Sequence, residues 1–114
     1  MRLAEQIAAR RSKERKAFEI PEWGEDDKPL ILYARSITAR DLNILQRKYK
    51  NFLNDMNIEG MIELIIMKFE TENGDKAFLK DDKTFLWGEE PALISSICGK
   101  LFGDTVSIEE QEKN

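Results

Sequence analysis

The chain has 114 residues and a net charge of −4, with 41% hydrophobic and 35% charged residues, one cysteine and no histidine. This is room for one domain with a single modest core. The counts exclude disulfide frameworks, Cys/His zinc sites and Ser-His or Cys-His nucleophile pairs.

No run approaches the roughly 18 apolar residues that a membrane span needs. The short apolar start breaks at Arg10-Arg11, so no secretory signal is expected. A lone cysteine fits a reducing compartment, which makes the cytoplasm the expected location.

Residues 1–16 carry Arg2, Arg10, Arg11, Lys13, Arg15 and Lys16 against Glu5 and Glu14, six cations less two acids or +4, which leaves −8 for the remainder. Their thin apolar stripe, Leu3, Ile7 and Ala8, predicts a frayed helix in a solvated basic arm, stable mainly when something docks on it. An acidic body is a poor binder of polyanions, so nucleic acid is not the expected partner of the whole chain.

Phe18–Ile20 and Leu30–Ala34 are the extended runs, predicted as a hairpin or pair of strands. Pro21 cannot donate to a ladder, so it ends the first strand or lies on an edge. Lys28-Pro29 restarts the chain extended. The link between the runs, with Trp23-Gly24 and Glu25-Asp26-Asp27, is longer than a tight turn. Leu30-Ile31-Leu32-Tyr33 is continuous rather than alternating, which predicts cover on both faces.

Thr38 and Asp41 mark a helix start. Leu42, Leu45, Tyr49, Phe52, Leu53 and Met56 then share one helical face. After a very short connection Asn57 caps a second helix, apolar nearly all round over Met61–Met67 apart from Glu63. Such a helix is central to the fold or lies at a subunit interface. Asn73-Gly74 is expected to end it. Residues 75–88 form a connector, with Ala77–Leu79 extended and Asp81 or Asp82 capping a turn that holds Phe85, Leu86 and Trp87. A third helix opens at Glu89-Glu90-Pro91, carries Leu93, Ile94, Ile97, Cys98, Leu101 and Phe102 on one face, and closes at Gly103. Cys98 on that face reads as a small buried hydrophobe.

The expected fold is therefore α+β and mostly helical, with an N-terminal β-hairpin or strand pair packed on about three helices. Residues 1–16 form the arm, 17–103 a single domain, and 104–114 an acidic disordered tail.

Little here points to catalysis. The neighbouring carboxylates Asp26/Asp27, Asp81/Asp82 and Glu89/Glu90 point in different directions, whereas paired catalytic acids normally come from separate elements. A calcium loop needs glycine at its sixth position. Counting back from Gly74 or Gly88 places Phe69 or Lys83 at the first ligand. No phosphate loop, dinucleotide fingerprint or nucleophile elbow is present. No catalytic, cofactor-binding or metal residue is expected. The candidate partner-binding residues are Pro21, Glu22, Trp23, Gly24 and Trp87. Trp87, beside an apolar helix, reads as a partly buried core aromatic. Trp23, among charges, is the better contact candidate.

The order of elements resembles the tail assembly chaperones of long-tailed, siphovirus-type phages and prophages. The resemblance rests on the Pro21-Glu22-Trp23-Gly24 segment, the Lys28–Ile37 strand and the charged helix start Thr38–Asp41. It continues through the apolar helix, the Asn73-Gly74-Asp75 turn and the Ala77–Trp87 segment before a last helix. It covers roughly residues 18–103 and departs at Leu86-Trp87-Gly88-Glu89. It implies a non-enzymatic chaperone in the bacterial host cytoplasm. Such a protein coats the tape-measure protein, recruits tail-tube protein subunits, self-associates and is absent from the finished tail. The family is often made in two lengths by a backward ribosomal slip. Glu112-Lys113-Asn114 allows a slip-prone A-AAA-AAN run there, and a GAG or AAG codon would exclude it. The alternatives are a small regulator binding nucleic acid through the 1–16 arm, and a structural tail or head–tail connector subunit.

Overall fold

The computed structural model describes residues 2–11 and 14–103 with their side chains and, beyond them, only the bounds of the last helix. Among the described residues the order is α1 (Leu3–Arg11), β1 (Lys16–Glu25), β2 (Lys28–Ala34), α2 (Ala39–Lys48), α3 (Ile58–Lys68), a 3₁₀ turn (Lys80–Asp82), α4 (Lys83–Trp87) and α5 (Pro91–Lys113). The two strands form one antiparallel sheet, so the protein is α+β and mostly helical, as its sequence predicts. The expected tail, 104–114, lies outside the described residues. Gly103 does not close α5. A glycine inside a helix costs about 1 kcal/mol, and no proline follows to enforce a stop.

The hairpin is tighter and longer than expected. Lys16 to Ile20 pair in register with Ala34 to Leu30, and Glu25 pairs with Lys28. The turn is Asp26-Asp27 alone, with φ of 49° and 64°. Positive φ at both central residues is the requirement of a two-residue type I′ turn. Between Ile20 and Glu25, residues Pro21–Gly24 face only Pro29. Neither proline can donate to a ladder, so β1 swells into a bulge instead of ending at Pro21. Gly24 is forced by close approach, since a Cβ there would lie 1.8 Å from the Lys28 carbonyl oxygen.

Leu32 and Ala34 are buried, but Leu30 and Ile31 are exposed, so cover on both faces of β2 is not complete. Tyr33 is covered from outside by Arg15, whose guanidinium sits 4.9 Å from the ring centroid. Arg15 also donates to the carbonyls of Thr71 at 3.1 Å and Glu72 at 2.9 Å. It is therefore docked rather than part of a solvated arm. Within α1 no residue is buried.

Thr38 caps α2 as its sequence predicts. Its hydroxyl accepts from the Asp41 amide at 3.1 Å, and Asp41 Oδ2 accepts from the Thr38 amide at 2.9 Å. The same carboxylate oxygen takes a 2.8 Å bond from Lys68. Burial raises the Asp41 pKa, but the Lys68 and Thr38 contacts outweigh it and hold the carboxyl below its ordinary value.

α2 ends at Lys48, well short of the predicted run to Met56. Tyr49 leaves helical geometry and Asn51 takes φ 62°, a conformation asparagine tolerates. The break lets Phe52 turn inward while Leu53 and Met56 stay exposed. A Cβ on Gly60 would meet the Phe52 ring at 2.5 Å, so Phe52 is seated over a glycine from the next helix.

Asn57 caps α3, accepting from the Gly60 amide at 2.7 Å. This helix is the centre of the molecule, with Met61, Ile62, Leu64, Ile65 and Ile66 buried. Each fully buried Leu or Ile contributes about 1.5–3 kcal/mol. It packs chiefly on α5, whose Ile94, Ile97, Cys98 and Leu101 are buried. α3 stops at Lys68, before the predicted Asn73-Gly74. Phe69 is extended and edge-on to Phe18 at 5.7 Å. Glu70 exchanges both backbone bonds with Tyr33, at 2.7 and 2.9 Å, and also bridges Lys76. The exposed edge of β2 thus captured the chain that sequence periodicity assigns to helix. Gly74 instead sits in the turn after Glu70, with φ 92°.

Candidate protein-binding surface

The bulge in β1 aims Trp23 toward the connector between α3 and α5. Its ring lies 5.5 Å from Phe78 and 5.8 Å from Phe85, and Phe78 and Phe85 stack at 6.4 Å. Its indole N–H donates to Glu89 Oε1 at 3.1 Å. Four separate segments therefore meet at one aromatic shelf: the bulge, the extended piece after Lys76, α4, and the lead into α5. A hollow of about 390 Å³ opens on it, with Glu22, Glu25 and Glu89 at its edge.

A second cleft of about 390 Å³ adjoins the first through Phe78. Ile66 and Met67 of α3, with Phe78 and Leu79, supply its apolar lining. Lys48, Lys76, Lys80 and Lys83 line it as well, with Glu63. Lys48 pairs with Glu63, and Lys83 lies 3.9 Å from Glu59. Lys76 and Lys80 are exposed and have no carboxylate partner among the described residues. Burial, then the Glu63 and Glu59 carboxylates, push the nearby Tyr49 hydroxyl up to about 12. The rims of the two hollows thus differ in sign.

The sequence candidates separate. Pro21 and Glu22 are exposed on the bulge, and Gly24 is half-buried. The two tryptophans exchange their expected places. Trp23 folds back, half-buried, onto the shelf. Trp87 is 50% exposed, as is Phe85, and Leu79 is 60% exposed. On α4 these two aromatics flank the buried Leu86. Trp87 is outside the ring contacts that Trp23 makes. The lysine cleft is absent from the candidates drawn from sequence. A signal existed, because Lys76, Lys80 and Lys83 recur at helical spacing around Phe78-Leu79.

Cys98 is buried, and desolvation pushes its thiol up to about 12, far from a reactive thiolate. Among the described residues, no group of three or more His, Cys, Asp or Glu is placed to hold a metal ion. None of the described helices is long and apolar enough to cross a membrane. Searched against family models, curated proteins and solved structures, the chain matches none.

Proposed function

We propose that the chain is a tail assembly chaperone of long-tailed phages, working by binding and not by catalysis. It covers apolar stretches of the tape-measure protein in the bacterial host cytoplasm, helps bring tail-tube subunits to it, and leaves before the tail is finished. One observation carries this reading beyond the sequence pattern. Leu79, Phe85 and Trp87 stand exposed on one short connector segment, and Phe85 lies against the half-buried Trp23. Exposed apolar side chains also occur on α1, β2 and around α2, but Leu79, Phe85 and Trp87 are, with Leu53, the most exposed of them outside α1. Large side chains left out together suit an apolar partner. The acidic body keeps such a complex soluble.

Co-expression with a tape-measure protein tests it. The wild-type chain is expected to hold that protein in the soluble fraction. The Phe85→Ala/Trp87→Ala double variant, still folded, is expected to lose it. An insoluble tape-measure protein with the wild-type chain, or full rescue by the variant, would overturn the proposal.

A second reading has its own observation. Arg2, Arg10 and Arg11 are all exposed on or beside α1, which buries nothing, as an arm that tracks a phosphate backbone would be. A mobility shift of DNA at low salt supports a nucleic-acid regulator, and no shift there removes it.

A further inference from the structure

We propose that the lysine-rimmed cleft is the seat of an acidic amphipathic helix, one whose apolar stripe enters between Met67 and Leu79 and whose flanking carboxylates meet the lysines. This rests on the reading of the chain as a binding chaperone and names the chemistry of the segment it takes.

Charge placement is the first argument. Outside residues 1–16 the chain sums to −8, with 12 cations against 20 acids. Four of those cations line one cleft. Lys76, Lys80 and Lys83 come from one stretch of the connector and α4, and the fold brings Lys48 from the end of α2 to join them. Two are held by Glu63 and Glu59, and two are left to solvent. A positive rim in a negative body selects against basic segments and steers acidic ones inward.

The apolar lining is the second. Ile66 and Met67 reach it from the central helix, so a guest side chain here would lie against the core itself. Met67 is only half-buried and Leu79 is exposed. Methionine adapts to irregular guests. An apolar groove edged by charges of one sign is the arrangement that takes the apolar face of a helix with opposite charges beside it. The acid-edged hollow of Trp23, joined through Phe78, bounds the site and limits the preference for acidic guests to the lysine side.

The test uses the full chain and two labelled peptides of roughly 18 residues, five helical turns. Both carry leucines on one face. One has glutamates flanking them and the other lysines. Fluorescence anisotropy is expected to show the glutamate peptide binding at least about tenfold more tightly, with that advantage shrinking as salt rises. Lys76→Glu/Lys80→Glu is expected to weaken the glutamate peptide about tenfold. Arg2→Glu/Arg40→Glu, the same change in net charge elsewhere, is expected to leave it within about twofold. Circular dichroism and Tm confirm that both variants fold. Equal binding of the two peptides, or equal loss in the two variants, overturns the proposal. So does a protein that doubles its mass as peptide affinity falls with concentration, because the occupant would then be a second copy. A bound glutamate peptide with an unrescued tape-measure protein keeps the cleft and discards the phage assignment. The reverse result discards the cleft alone.

Discussion

The seam between α3 and α5 and the shelf around Trp23 are both built from large apolar side chains, but only the seam is closed. Leu64 and Ile65 of α3 and Ile94 and Ile97 of α5 are buried, and among the described residues no polar residue is buried as a whole. On the shelf every ring keeps an edge toward water, and acids or lysines stand around it. The seam maximises area removed from water, which is what stability requires. The shelf stops short of that, and the uncovered remainder is available to a partner. In the proposed reading, stability and recognition are divided between two sets of aromatic and aliphatic residues.

This division can be broken from the seam side first. Leu64→Ala is expected to cost about 2–5 kcal/mol in urea unfolding, by lost burial and the cavity left behind. A loss below about 1 kcal/mol would mean that the seam is looser than described. Gly60→Ala is expected to cost about 1–3 kcal/mol, because the added methyl meets the buried Phe52 ring. Restored stability in Gly60→Ala/Phe52→Leu would localise the clash.

The shelf gives smaller effects, and the two tryptophans sharpen the contrast. Trp23→Ala removes two ring contacts and the bond to Glu89, so a loss of about 1–3 kcal/mol is expected. Trp87→Ala is expected to cost no more than about 1 kcal/mol while weakening capture of the partner. The opposite ranking in thermal melts would return Trp87 to the core and Trp23 to the surface.

The smallest effect is in acid. Asp41 titrates lower in the folded chain than its ordinary 3.8. Its contribution is therefore complete above that pH and is lost as pH falls through the lower folded value. Asp41→Asn is expected to flatten that part of the stability profile while leaving the shelf unchanged. An unaltered slope between pH 5 and pH 2, both order-of-magnitude bounds on carboxylate titration, would show that the Lys68 pair contributes nothing.

What the sequence revealed depended on distance along the chain. Thr38 with Asp41, Asn57 and Pro91 mark helix starts correctly because each cap acts within one turn. The apolar density of Met61–Met67 identifies the central helix without any partner in view. The end of α2 was not legible, since Phe52 turns back onto Gly60 from another element. The end of α3 was hidden for the same reason, because Glu70 is captured by Tyr33. The hairpin's bulge arises only once Pro21 and Pro29 stand opposite each other. Trp23 was misplaced because its partners Phe78, Phe85 and Glu89 lie far along the chain. The lysine cleft was half visible, as three of its cations share one run and the fourth comes from α2.

The dependence of α3 on α5 also has a consequence in time. A ribosome delivers α3 well before α5, with the 3₁₀ turn and α4 in between. At about 5–20 residues per second, the face of α3 that α5 will cover stays bare for on the order of seconds. A hairpin closes in about 1–10 μs, so β1 and β2 can be paired while that face is still waiting. A chain stalled on the ribosome before Pro91 is expected to crosslink through α3 to nascent-chain holdases, and one released with α5 is not. For part of its synthesis, a protein proposed to shelter another chain would itself be a client.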